Sequence, residues 1–173
     1  GMGFSFGYNQ NEDLEDYATP QALILTLVNI VSKGGNLLLD IGPTANGKIP
    51  PIMQERLSQM GEWLKINGEA IYGTRRWKHV DQWSSGDRNW KYNGKYYVSG
   101  NAILKQTVDP DPGYAVQEVF FTSKGDNIYA ISPKYLKSIV LKDIYSTSQT
   151  KISLLGCDKE VEWKQEKDNI RIT

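Results

Sequence analysis

The chain holds one cysteine, Cys157, and one histidine, His79. A single thiol excludes an internal disulfide and a thiolate zinc site, and beside Gly156 it reads as a small buried hydrophobe. A single imidazole offers no histidine–metal cluster and no triad within the chain. No apolar run approaches the roughly 18 residues that a membrane-spanning helix needs. An excess of charge is lacking too, with 20 Lys plus Arg against 20 Asp plus Glu. No global field therefore draws the chain to nucleic acid or to an anionic membrane. Internal repeats and low-complexity segments are absent. With 39% hydrophobic residues, 173 positions suffice for a real core in one or two domains. Aromatics are plentiful (five Trp, ten Tyr, four Phe), as in carbohydrate-handling surfaces and in β-sandwich cores alike. Gly1 ahead of Met2 reads as a remnant of tag removal.

Up to about Gly73 the pattern is α/β. Thr19-Pro20 is a helix start: a hydroxyl N-cap, then proline where a missing N–H costs nothing. The helix carries Ala22, Leu23, Ile24, Leu25, Leu27, Val28, Ile30 and Val31, apolar nearly all round, which requires burial on more than one side. Gly34 and Gly35 end it. Residues 36–41 form an almost continuous apolar run, the pattern of a strand buried on both faces. After a Gly- and Pro-rich loop, a second helix begins near Pro51. Met53, Leu57, Met60 and Leu64 form its apolar stripe, with Trp63 beside them, and Gln54, Glu55, Arg56, Gln59, Glu62 and Lys65 fill the other side. Helix, strand, loop and helix make one repeat of a parallel α/β fold, and it occurs once. One parallel strand makes no sheet, so the chain reads as the tail end of something larger.

From about Trp77 the pattern changes to short β segments, at 96–98, 115–122, 127–131, 138–141, 151–155, 160–163 and 169–172. Turn chemistry at Asn93-Gly94, Asp109-Pro110-Asp111-Pro112-Gly113, Lys124-Gly125-Asp126-Asn127 and Gly156-Cys157-Asp158 separates them. Such spacing predicts an antiparallel sandwich.

Few constellations carry chemistry. Glu12, Asp13, Glu15 and Asp16 precede the first helix, where its dipole favours carboxylates; a calcium loop would need an internal Gly that is missing. The Asp109–Gly113 run is a stiff turn before it is a metal loop. Arg75, Arg76, Trp77 and Lys78 read as a domain junction around a packed Trp, ahead of an anion site. Trp77, Trp83, Trp90, Tyr92, Tyr96 and Tyr97 either fill a sandwich core or stack sugars. No metal and no organic cofactor is expected.

Ser5-Phe6-Gly7-Tyr8-Asn9, then Ser32-Lys33-Gly34-Gly35-Asn36-Leu37-Leu38-Leu39-Asp40-Ile41-Gly42-Pro43, resemble the family 29 glycoside hydrolases, the α-L-fucosidases. Gly61-Glu62-Trp63-Leu64-Lys65-Ile66-Asn67-Gly68-Glu69-Ala70-Ile71-Tyr72-Gly73-Thr74 is similar to the same family's barrel end. The resemblance is specific through Trp77 and continues loosely in Asp126-Asn127-Ile128-Tyr129-Ala130 and Leu154-Leu155-Gly156. It implies α/β followed by all-β: residues 1–73 are the remnant of the last part of a (β/α)8 barrel, and 74–173 a C-terminal antiparallel β-sandwich. It also implies retaining hydrolysis by a carboxylate nucleophile and a carboxylic acid/base about 5–5.5 Å apart. The family carries both upstream of the Ser-Phe-Gly-Tyr segment, so no catalytic residue is assigned here.

Phe6 matches an aromatic that lines the pocket for the sugar's C6 methyl, a substrate-binding role, and its alternative is a plain packing residue. Asp40, where the family often has Asn, reads as a loop-organising group. The resemblance thus implies the C-terminal portion of an α-L-fucosidase-like hydrolase, inactive alone, from a secreted or periplasmic parent acting on fucosylated glycans. The alternatives are a carbohydrate-binding β-sandwich module and a structural fragment that self-associates, a homo-oligomer covering the exposed barrel face.

Overall fold

The computed structural model describes residues 1–91 and 101–173. The predicted strand at 96–98, the Asn93-Gly94 turn, and Tyr92, Tyr96 and Tyr97 lie outside them. The described residues form helices α1 (Pro20–Ser32), α2 (Pro51–Asn67) and α3 (Ala102–Thr107), and strands β1 (Arg75–Trp83), β2 (Gln117–Lys124), β3 (Asn127–Ile131), β4 (Ile139–Leu141), β5 (Trp163–Glu166) and β6 (Asn169–Ile172). All strand pairs are antiparallel, in two three-stranded sheets of order β1-β2-β3 and β4-β6-β5.

Helix α1 starts as its sequence dictates. The Thr19 hydroxyl accepts the Ala22 N–H at 3.2 Å, with Pro20 next to it. The Asn101 side chain accepts the Thr19 N–H at 3.0 Å, tying the cap to the approach to α3. The helix ends where Gly34 turns left-handed at φ 87°, with N–H groups of Gly34 and Gly35 returning to Val31 and Ile30. From Ala22 to Ser32 no residue is exposed, as the all-round apolar pattern requires. On one side Ala22 and Leu23 pack with Met53 and Met60 of α2 and with Leu37, Leu39 and Ile41. On the other, Leu25 and Val28 pack with Phe120 of β2.

The first sheet is covered on both faces. Phe120 meets the helices, while Val119 and Phe121 pack with Leu141, Ile139 and Ile172 of the second sheet. Layers therefore run from helices to sheet to sheet. Strand β2 manages this because alternate side chains leave opposite faces of a strand. Along β1 the register slips between Arg76 and Asp81, whose partners Thr122 and Phe120 are only two apart. Trp77, inside this bulge, packs against Phe121 at 5.1 Å between ring centroids.

Four sequence expectations change. Residues 36–41 run extended but pair with no strand among the described residues, and they are buried on one face only, with Leu38 94% exposed. Among the described residues, nothing covers Leu38. On α2, Leu57 is exposed and Arg56 lies inward instead, its Nε donating to the Ala18 carbonyl at 3.1 Å. Residues 151–155 form no strand, and the segment expected at 160–163 starts only at Trp163. Cys157 is half-buried rather than buried.

The β2–β3 hairpin closes through Gly125-Asp126, with Lys124 opposite Asn127, as its turn residues predict. On β6, Arg171 Nε donates to both Glu166 oxygens at 3.0 Å, and Lys164 Nζ lies 2.8 Å from Oε1. Those hydrogen bonds, Arg171 first and Lys164 second, pull the Glu166 carboxyl down to about 2.

Two outcomes follow. Phe120→Ala should cost about 3–5 kcal/mol in denaturant unfolding, because the fully buried ring is shared by the helical and sheet layers. The lowered Glu166 pKa stabilises the fold above the ordinary glutamate range, and this contribution fades as pH falls towards 2. A carboxyl NMR titration of Glu166 should find its midpoint near 2; a midpoint in the ordinary range would contradict the pairing.

Candidate functional site

The resemblance points to the segment around Phe6, and the structure shows what holds it. Gly7 and Tyr8 cross directly over Gly42, whose missing side chain leaves room for their backbone. Residues 36–41 end there, so the crossing sets the Phe6 loop at the C-terminal end of the extended segment. In a parallel barrel this is the end where ligands bind. Phe6 itself is 81% exposed, with nothing in the described chain enclosing it.

The loop is closed by its own polar groups. Ser5 N–H donates to Glu12 Oε1. The Asn9 amide donates to Ser5 Oγ at 3.1 Å, and the Asn9 carbonyl accepts the Glu12 N–H at 3.2 Å. Further down, Ala18 N–H donates to the Met2 carbonyl at 3.0 Å, and the Met2 side chain is buried in the core of α1 and α2. Tyr17 is buried beside Glu12, and burial first, then the Glu12 carboxylate, raises its phenol pKa.

The acidic cluster serves local structure. Asp13 caps a short 3-10 turn at Leu14–Asp16 by accepting the Glu15 N–H at 3.1 Å, and Asp16 accepts the Asp13 N–H at 3.0 Å. The turn thus capped is not α1, whose cap is Thr19. Asp40 lies half-buried at the end of the extended segment. No group of three His, Cys, Asp or Glu side chains suited to a metal occurs among the described residues.

The basic aromatic patch is a junction. Lys78 Nζ lies 5.1 Å from the Trp77 ring and donates to the Asp143 carbonyl, Arg75 donates to Thr74, and His79 meets Trp77 edge-on at 5.3 Å. Trp83 lies under Arg88 at 5.6 Å. Trp77, Trp83 and Trp90 are each half-buried, and none stands out as a stacking platform.

Tyr8 is the residue that motif reading passed over. It is 45% exposed and lines a groove with Thr44, Asn46, Lys48, Pro51 and Gln54. The groove's far wall is a self-bonded loop, in which Thr44 N–H donates to the Lys48 carbonyl at 2.8 Å and Lys48 N–H to Thr44 Oγ1 at 3.1 Å. The signal available in the sequence was Gly42, whose missing side chain lets two backbones touch. Gly42→Ala should lift the Phe6 loop off its seat, since a Cβ would meet backbone rather than a yielding side chain. Faster amide exchange at residues 5–9 would show it; unchanged exchange would contradict the crossing.

Residues 1–69 match the family model described as alpha-L-fucosidase, and residues 114–173 match the alpha-L-fucosidase C-terminal domain. The chain is 38% identical to the plasma alpha-L-fucosidase of Rattus norvegicus over 169 residues, covering 95% of this chain and 30% of that protein. It is 37% identical to the tissue alpha-L-fucosidase of Homo sapiens over 167 residues, covering 95% and 29%. The crystal structure of Thermotoga maritima alpha-fucosidase in complex with fucose superposes with a TM-score of 0.71 at 32% identity, covering 99% of this chain and 34% of that one. The chain thus spans about 30% of the length of these curated relatives. A loop with an exposed aromatic seated on Gly42, an antiparallel sandwich, and two family models matching residues 1–69 and 114–173 agree: the chain belongs to the α-L-fucosidase family of glycoside hydrolases.

Proposed function

We propose that the chain is the closing segment of a retaining α-L-fucosidase-like hydrolase acting on fucosylated glycans. Residues 1–73 supply the last unit of its barrel and 74–173 the appended sandwich. The observation that carries this reading is the seat of the Phe6 loop on Gly42, at the end of residues 36–41 where a barrel keeps its substrate. Phe6 offers the one fully presented aromatic ring on that loop and meets the C6 methyl of fucose. Burying a methyl-sized group is worth about 0.8 kcal/mol, or about fourfold in affinity.

The chemistry itself needs two carboxyl groups flanking the glycosidic bond, one as nucleophile and one as acid and then base. The carboxylates nearest Phe6 are occupied otherwise. Glu12 accepts a backbone N–H, and Asp13 and Asp16 cap a turn. The resemblance to the family implies that the catalytic pair lies upstream of the Ser5–Asn9 segment, and on this reading the chain contributes substrate contact and the closure of the fold.

Purified and folded, the 173-residue chain should release no phenol from a chromogenic aryl α-L-fucoside. Turnover would place catalytic carboxylates within it and overturn the reading. In the complete hydrolase, Phe6→Ala should reduce the preference for the fucoside over the same glycoside lacking the methyl by about fourfold. An unchanged preference would remove Phe6 from the pocket.

A further inference from the structure

We propose that Glu12 is the positioning residue that fixes the Phe6 loop for sugar binding, an inference that rests on the role of Phe6 proposed above. Glu12 sits six residues after Phe6, and its carboxylate is folded back under the loop that carries that ring. One oxygen, Oε1, accepts the N–H of Ser5, the residue immediately before Phe6. The other, Oε2, is buried against Gly3. A Cβ on Gly3 would lie 2.7 Å from Oε2 and 3.1 Å from the Tyr17 ring, so the chain passes this point only as glycine if the carboxylate stays in place.

The backbone of Glu12 closes the loop a second time, because its N–H donates to the Asn9 carbonyl while the Asn9 amide holds Ser5 Oγ. Phe6, Gly7 and Tyr8 are thus spanned by two contacts of Glu12, its carboxylate on Ser5 and its backbone N–H on Asn9. A carboxylate that accepts a backbone N–H in a half-buried place makes a strong hydrogen bond, and its loss leaves that N–H without a partner. Tyr17 packs beside it, its phenol pKa raised by burial and then by Glu12. Asp16 also faces that phenol by charge, as does Tyr8, but neither reaches the Ser5 N–H. Glu12 does not touch the sugar in this arrangement; it acts through Ser5.

The test uses the complete hydrolase with Glu12→Ala, Glu12→Gln and Gly3→Ala, and reads Ser5 amide exchange together with KM and kcat for an aryl α-L-fucoside. Glu12→Ala should speed Ser5 exchange at least tenfold and raise KM about tenfold, with kcat changed far less. Glu12→Gln keeps an acceptor oxygen and should recover most of both effects. Gly3→Ala, whose Cβ presses mainly on the carboxylate and also on the Tyr17 ring, should reproduce the loss without unfolding the protein. Unchanged Ser5 exchange and KM in Glu12→Ala would overturn the inference while the Phe6 reading stands. Faster Ser5 exchange with no change in KM would also overturn it, since the loop would then be free without consequence for the sugar. The Phe6→Ala comparison separates the two ideas, because it tests the ring without touching its anchor.

Discussion

Helix α1 is apolar on nearly every side, and the rest of the structure is arranged to keep it from water. No residue from Ala22 to Ser32 is exposed. Helix α2 and the extended segment at 36–41 cover one flank, and the sheet of β1, β2 and β3 covers the other through Phe120. Each fully buried aliphatic side chain is worth about 1.5–3 kcal/mol, so the helix organises the layers on both sides. The same burial explains why the sandwich stacks where it does. Strand β2 has α1 on one face, and its opposite face must find the second sheet.

The extended segment shows the reverse condition. Leu37, Leu39 and Ile41 reach inward to α1, while Leu38 between them is bare. A strand with one buried face and two unpaired edges is half of an arrangement whose other half is a neighbouring strand. The loop of Phe6 ends on this same element, seated on Gly42. The Phe6 loop and the unpaired segment are therefore one structural unit, joined at Gly42.

Much of this was legible in residues 1–73, because strong local rules agree there. Thr19-Pro20 starts α1 and Gly34 ends it, each for a reason confined to a few neighbours. Hairpin β2–β3 was equally plain from Gly125-Asp126. Strand β1 was not, since Arg75-Arg76-Trp77-Lys78-His79 shows no alternation and its bulge breaks the period that would reveal it. Helix α3 spans six residues, too few for a helical period. Arg56 looked like a solvent-facing charge because its inward partner, the Ala18 carbonyl, is 38 residues away. Phe6 was singled out by resemblance alone. The anchoring carboxylate of Glu12 was submerged in an acidic cluster, and only its bond to Ser5 distinguishes it from Asp13 and Asp16.

The most direct test of the account is amide hydrogen exchange at residues 37–41, compared between the isolated 173-residue chain and the complete hydrolase. The account predicts rapid exchange in the isolated chain, where these amides pair with no described strand, and strong protection once neighbouring barrel strands flank them. Equal exchange in both states would contradict it, because residues 36–41 would then not be a strand of the assembled barrel.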